Sequence, residues 1–431
     1  MNLPAPIVQR VIDRLAYSPV SFALYRLPWT DEPVWVMQEG DGPATFRSPE
    51  ELNGKRGFVL TPFGATDEHP AVLIRPDRTA TDWEEIEQCL SPFIEAYRKG
   101  ELPLKMAETA GIAKTAGTAA ASEPGRTAEA GTEGTETKVT GTGRMETEGT
   151  GTGTGGNAET APGNGGTPWP DPVTEKASYF LAFHRFIGPL QQREYPKLVL
   201  SRRTCRQLPA DFSPCAAFIR ACNSYPRMMV SLCHTPQTGT WMGSTPEIIL
   251  SGHERLWSTV ALAGTQALEG EELPEVWSKK NQEEQAFVAE YIRRILKQWA
   301  GKVDEKGPYT ARAGALAHLK TDFRFCLKDT RHLGDLLAEL HPTPAVCGLP
   351  KQEAYEFILQ NEGYDRQYYS GIIGWLDPEA DTHLYVNLRC MQLTPEHATL
   401  YAGGGILPTS TAETEWEETQ EKLKTMSRLL E

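Results

Sequence analysis

The sequence predicts an α+β fold, on three observations. Short apolar and β-branched runs read as strands joined in hairpins, and amphipathic stretches with a helical period interrupt them. The strands of the first hundred residues are also too few to bury their apolar faces without sheet neighbours from later in the chain. The chain's 431 residues can form one large domain or two or three ordinary ones. In chain order, residues 8–15 read as a helix, 34–37, 57–60 and 71–74 as strands, and 82–99 as a second helix. From about Thr109 to Gly166 the composition changes to Gly, Thr, Ala and Glu, almost without aromatic or branched apolar side chains. Such a stretch cannot bury enough surface to offset the entropy of ordering it, so residues 107–170 are expected to be a disordered low-complexity insert. The flanking parts, 1–106 and 171–431, are expected to close into one unit around a deep cleft.

In the larger part, residues 197–201, 228–232, 240–242, 247–250 and 382–388 read as strands and 282–300 as the longest helix. That helix carries an apolar stripe, Val288, Tyr291, Ile295 and Trp299, which extends back one turn onto Glu284. Glu284 is therefore either a first-turn glutamate at a favourable helix end or a buried carboxylate with a partner. Lys197 alternates with Val199 on one strand face, which suits a sheet edge, an ion pair or a lysine used as a base. Glu247 ends the run Gly243-Ser-Thr-Pro, where a turn becomes a strand and side chains can face a cleft.

Near the C-terminus, Ser410-Thr-Ala-Glu413 reads as a capping box that starts a helix. On it Glu415, Glu418 and Lys422 fall on one face. This acidic run is either a solvated face or, beside the glycine turn expected at 402–406, a carboxylate pair for a hard divalent cation, with Mg²⁺ the natural candidate.

The formal net charge of −14 argues against nucleic acid and anionic membranes as partners, and an anionic substrate would need local cations to offset that field. Eight cysteines without a C-x-x-C pair suit a reducing compartment. With no signal-peptide core or membrane-length apolar run, a soluble cytoplasmic protein is expected.

Taken in order with Thr259-Val-Ala-Leu-Ala-Gly-Thr265, His341-Pro-Thr-Pro-Ala-Val-Cys-Gly-Leu-Pro350, Asp365-Arg-Gln-Tyr-Tyr-Ser-Gly371 and Asn387-Leu-Arg-Cys390, these segments resemble the chorismate-utilising enzymes. The resemblance runs from about Ser178 to Leu430 and is nearest to the isochorismate synthases. It implies large antiparallel sheets flanked by helices around a deep cleft, chorismate as substrate and Mg²⁺ as cofactor. By that likeness Glu284 and Glu418 hold the metal and Glu415 acts through water. Lys197 is the base and Glu247 the acid. Arg389, Lys422, Tyr369 and the amides near Gly403 and Gly405 receive the dianion, with Gly264 and Thr265 beside it. His341 corresponds to a substrate-proximal histidine, or else is a hydrogen-bonded structural imidazole.

Departures from the family pattern are Gln285, Asn281 and a GGG in place of GAG. Ala263 stands where aminodeoxychorismate synthases have a lysine nucleophile, and Ala345 where pyruvate-eliminating members have threonine. The likeness thus implies a reaction that stops at isochorismate; menaquinone formation is the expected use of the product, since nothing in the sequence indicates a siderophore route. Salicylate synthase and a non-catalytic chorismate-binding protein are the alternatives.

Overall fold

A computed structural model describes residues 1–102, 172–268, 272–314 and 316–431. The chain begins with α1 (Pro6–Leu15), where Val8, Val11, Ile12 and Leu15 recur at helical spacing and are all buried. Six strands follow: β1 (Ser21–Arg26), β2 (Val34–Gln38), β3 (Ala44–Phe46), β4 (Gly57–Leu60), β5 (Ala71–Ile74) and β6 (Arg78–Ala80). The helix expected over 82–99 is instead two, α2 (Trp83–Cys89) and α3 (Ser91–Arg98). Pro92 explains the break, because it has no N–H for an i−4 bond and is tolerated only in the first turn of a new helix. The insert expected over 107–170 lies outside the described residues.

The larger part contributes α4 (Pro172–Gln191), β7 (Lys197–Gln207), α5 (Pro214–Ser224), β8 (Met229–Thr235), β9 (Gly239–Thr245), β10 (Ile248–His253) and β11 (Leu256–Ala267). Next come α6 (Lys279–Trp299), β12 (Val303–Ala313), β13 (Leu316–Cys326), α7 (Leu333–Leu340), β14 (Gly348–Leu349) and α8 (Lys351–Asn361). The chain closes with β15 (Ile372–Leu376), β16 (Thr382–Val386), β17 (Cys390–Leu393), β18 (His397–Ile406) and α9 (Ala412–Ser427).

These strands form two nine-stranded sheets, in the orders β14-β7-β18-β17-β9-β8-β1-β2-β6 and β12-β13-β11-β10-β16-β15-β4-β5-β3. Every ladder whose register is resolved is antiparallel, for example β7 with β18 and β11 with β13. The fold is therefore α+β, with large antiparallel sheets flanked by helices. Tyr25, Phe58, Trp241 and Tyr385 belong to an apolar core that draws on strands of both sheets. One outer core joins α1, α3, α5 and α9 to the first sheet, and another joins α6 and α7 to the second. The early strands take the outer places in both sheets, as their need for neighbours predicts.

Three local expectations change. Residues 402–406 are not a turn: Gly403, Gly404 and Gly405 lie in β18, opposite Ser201, Leu200 and Val199 of β7. The cap of α9 is Thr411, whose hydroxyl accepts from the Thr414 N–H, rather than Ser410. The long helix starts three residues earlier than expected because the Ser278 hydroxyl accepts from the Asn281 N–H.

Candidate active site

Strand β7 has β14 on one side and β18 on the other, so Lys197 is not at a sheet edge, and its side chain is fully buried. Its Nζ lies 3.0 Å from Glu284 Oε1. Glu284 sits beyond the first turn of α6, so helix-end electrostatics do not account for it; Lys197 is its partner. The two side chains meet over Gly405, where an ideal Cβ would collide with Glu284 Oε1 and lie 2.9 Å from Lys197 Cε. At Gly404 a Cβ would lie 3.1 Å from Glu418 Oε1 and 3.4 Å from Glu415 Oε2. The glycine run thus belongs in a strand, and it is glycine because three carboxylates press on that strand.

Each of these carboxylates faces a lysine Nζ. Besides the Lys197 pair, Lys280 Nζ donates to Glu415 Oε1 at 2.5 Å and Lys422 Nζ to Glu418 Oε1 at 2.6 Å. Burial and the neighbouring Glu418 push the Glu415 carboxyl up. Burial also acts to raise Glu418, but Lys422 and Lys280 outweigh it and hold that carboxyl below its ordinary value. Glu415 Oε2 is buried without a hydrogen-bond partner among the described residues. Among those residues no group of three or more His, Cys, Asp and Glu converges on one point to hold a metal ion. The donor set is nevertheless one of hard carboxylate oxygens, with an orphaned oxygen and a cradle beside Gly404 that any Cβ would fill.

Glu247, Gly264, Thr265, Glu284 and Ala345 line one cavity, and Tyr369, Arg389, Gly403, Gly405 and Lys422 complete it. It encloses about 580 Å³ of empty space including its open mouth. Burial raises the Glu247 carboxyl from 4.5 to about 7, against the opposing pull of the Thr343 hydroxyl and Lys197. Thr343 Oγ1 donates to Glu247 Oε1 at 3.2 Å.

Arg389 is buried and has no carboxylate within ion-pair distance among the described residues. Its Nη2 donates to His318 Nε2 at 3.1 Å, while His318 Nδ1 donates to the Gly264 carbonyl at 2.9 Å. Burial and the Arg389 charge hold that imidazole neutral, its pKa lowered to about 3. Lys422 Nζ also donates to the Gly403 carbonyl at 2.8 Å. In an antiparallel ladder a residue's N–H and C=O point the same way, so the N–H of Gly403 turns with this carbonyl, and Gly405 shares its parity. Together with Arg389, Lys422 and these N–H groups place hydrogen-bond donors along one wall of the cavity.

Gly264 adopts φ +72 at a bulge between Ala263 and Thr265, and a Cβ there would meet the Asn281 carbonyl oxygen at 3.0 Å. Asn281 Nδ2 donates to the Thr265 carbonyl, and Gln285 Oε1 accepts from the Ala263 N–H while its Nε2 donates to the Ala261 carbonyl. Both departures from the family pattern thus fix the backbone on either side of this bulge.

A buried ion pair ties the two lips of the cavity together. Arg366 gives Nε to Glu362 Oε2 (2.6 Å), Nη1 to the Val346 carbonyl (2.7 Å) and Nη2 to the Val199 carbonyl (2.9 Å). Glu362 Oε1 in turn accepts from the Ser201 N–H (2.7 Å) and hydroxyl (2.8 Å). The pair therefore fixes the strand carrying Lys197 to the loop carrying Ala345.

His341 does not line the cavity. It borders a separate one with Phe63, Lys351 and Tyr355, and both its ring nitrogens lack hydrogen-bond partners among the described residues. It is not the hydrogen-bonded imidazole that was one expectation, and burial lowers its pKa to about 3. The histidine at the cavity is His318, which sequence reasoning missed, as it missed Arg366. Glu362 and Arg366 lie past the end of α8, so no helical spacing marked them, and no local signal marked His318.

The family model for "Chorismate binding enzyme" matches residues 169–431. The chain is 31% identical over 196 residues to isochorismate synthase EntC of Escherichia coli (strain K12), covering 44% of this chain and 50% of that protein. It is 31% identical over 252 residues to the salicylate biosynthesis isochorismate synthase of Pseudomonas aeruginosa, covering 57% and 52%. The chain thus spans about half the length of these curated relatives. Among solved structures, the menaquinone-specific isochorismate synthase MenF of Escherichia coli superposes with a TM-score of 0.67 at 20% identity, covering 100% of this chain and 92% of that one. The likeness to that structure is one of fold.

Proposed function

The chain belongs to the chorismate-binding enzyme family, and from that premise we propose that it isomerises chorismate to isochorismate with Mg²⁺. One observation carries this reading: Glu247, a buried carboxyl with a pKa of about 7, shares a cavity with the Arg389 guanidinium, which has no carboxylate within ion-pair distance among the described residues, and lies close to Lys197. Arg389, Lys422 and the amides of Gly403 and Gly405 receive the carboxylates of the dianion, and Tyr369 adds a hydroxyl donor. Lys197 Nζ takes a proton from the attacking water, and Glu247 gives its proton to the departing ring hydroxyl. Atoms balance, since one water enters and one leaves. Glu284 and Glu418 would hold Mg²⁺, with Glu415 beside them. When bound, the cation offsets the negative charge of the substrate carboxylate and of these glutamates.

Incubation of the purified chain with chorismate, with Mg²⁺ or with a chelator, tests the reading by chromatography. Isochorismate formed only with Mg²⁺ is expected; salicylate would assign the eliminating reaction, and unchanged chorismate a binding protein. The Glu418→Ala variant is expected to need about tenfold or more additional Mg²⁺ for half-maximal rate, with recovery at high metal. No helix among the described residues is long and apolar enough to cross a membrane. The product is proposed to feed menaquinone formation, so deletion of the gene should deplete menaquinone; a siderophore defect alone would redirect the assignment.

The pH dependence follows from Glu247. As the acid it must hold its proton, so kcat/KM, which reports the free enzyme, should fall on the alkaline side with a midpoint near the carboxyl's pKa of about 7. Flat kcat/KM from pH 6 to 8.5 would remove Glu247 from that role. The same raised pKa has a stability consequence of definite sign. Between 4.5 and about 7 the folded chain holds a proton that the unfolded chain has released, so this group's contribution to stability declines as pH rises through that window.

Ala345 bears on where the reaction stops. It lines the cavity and supplies no hydroxyl to orient an eliminating water or ether oxygen. Ala345→Thr is expected to retain isochorismate formation within about tenfold and to add slow pyruvate release, measured by a coupled dehydrogenase assay. A folded, active variant that releases no pyruvate would show that this position does not gate elimination.

A further inference from the structure

Behind the wall that carries Arg389 lies a second and larger cavity, with about 1360 Å³ of empty space including its open mouth. Arg220, Arg227, Arg312 and Arg428 line it together with Trp29 and Tyr225, and no acidic side chain does so among the described residues. In a chain of net charge −14 this concentration of guanidinium groups runs against the overall field. Arg220 Nη2 donates to the Leu429 carbonyl at 2.5 Å, and the Arg227 guanidinium sits 5.4 Å from the Trp29 ring centroid. Neither of these, nor Arg428, has a carboxylate within ion-pair distance among the described residues.

Trp29 supplies an independent observation. Its indole is 71% exposed, and its backbone is in the left-handed region at φ +65. For a bulky residue that conformation is costly, on the order of 1–3 kcal/mol, and here it secures no burial of the side chain. The Trp29 N–H donates to the Pro226 carbonyl at 2.8 Å, which ties the indole to the backbone next to Arg227. The strained turn therefore presents a flat aromatic face beside several guanidinium forks. Such forks take carboxylate or phosphate oxygens in pairs, and an indole face stacks on a planar ring.

The geometry points to a second ligand site, for a small molecule that combines a planar ring with at least two negative charges. The site is positioned to communicate with the first cavity. Tyr225 Oη donates to the Thr425 carbonyl at 2.9 Å, and Arg389 Nη1 reaches the Thr425 hydroxyl at 3.4 Å. An occupant against Tyr225 is thus one residue removed from the guanidinium proposed to receive substrate. This communication rests on the function proposed above; the binding itself does not.

Calorimetric titration of the full chain at low ionic strength with ADP and with phthalate tests the site, the two arms separating phosphate from carboxylate as the source of charge. Saturable binding of at least one probe is expected, weakened at least tenfold in Arg227→Gln/Arg428→Gln, a variant whose kcat and KM for chorismate without probe should match wild type. Trp29→Ala should weaken a ring-bearing probe and leave inorganic pyrophosphate binding unchanged. Absence of saturable binding by either probe, or equal binding to wild type and the double variant, would overturn the site. Equal loss of ADP and pyrophosphate in Trp29→Ala would overturn the ring requirement. Because these readouts are of binding, they hold or fail whatever the reaction in the first cavity proves to be.

Discussion

Glu247→Gln is expected to lower kcat by about 10²–10⁴, the usual contribution of a positioned proton donor, while chorismate binds within a few-fold of wild type. The amide matches the carboxyl in shape, and its oxygen can still accept from Thr343 Oγ1, which lies 3.2 Å from the native Oε1. With a pKa of about 7 Glu247 is largely neutral in mildly acidic buffer, so a neutral amide barely alters the field that the substrate meets. What the substitution removes is the transferable proton. Steady-state kinetics with a direct binding measurement decide the matter, and a loss confined to KM would recast Glu247 as a positioning group. Lys197→Ala should lose a similar factor in kcat. It has a second cost, because Glu284 would be left buried without the Lys197 Nζ now 3.0 Å away. Its folding must therefore be checked before its kinetics are read.

Arg366→Ala is expected to destabilise the chain by about 3–5 kcal/mol, the range for removing one partner of a buried ion pair. Both side chains are almost wholly inaccessible, 2% and 1% exposed, so water cannot replace what is lost. Removing the guanidinium strands the Glu362 carboxylate and also frees the carbonyls of Val199 and Val346. Urea denaturation followed by tryptophan fluorescence measures the change as a shift in midpoint at constant slope. Arg366→Lys should recover only part of it, since an ammonium cannot reach Glu362 and both carbonyls in the planar fork geometry. A destabilisation below about 1 kcal/mol in the alanine variant would mean that the network relaxes around the gap.

The residues that were legible in the sequence are those whose chemistry sits in short strings. Lys197, Glu247 and Arg389 were recognisable because strand alternation or a family motif marks each, and the structure brings all three to one region. Glu284 was legible as a carboxylate on a core-facing stripe, although no local signal marked Lys197, far earlier in the chain, as its partner. His318 lay hidden because its place depends on the register of β13 against β11, which is set by pairing rather than by neighbours in sequence. The glycines of β18 were misread for a related reason. Local propensity favours a turn at three successive glycines, whereas the carboxylates of α6 and α9, packed on the strand, require a backbone without side chains there. His341 was placed by likeness alone, and its surroundings put it elsewhere.

The strand order also bears on how the chain reaches this state. Strand β1 lies between β2 and β8, and Leu60 of β4 pairs with Ile373 of β15. During synthesis the early strands emerge long before the partners that complete their sheets, and they present unpaired edges until most of the chain has been made. Loops of that span must close before those pairings contribute, which makes assembly slow relative to helical proteins of similar size. A fragment ending before β15 would lack the neighbour of β4 in the second sheet, so the apolar faces that unite the two sheets stay open to association with other chains until β15 itself arrives.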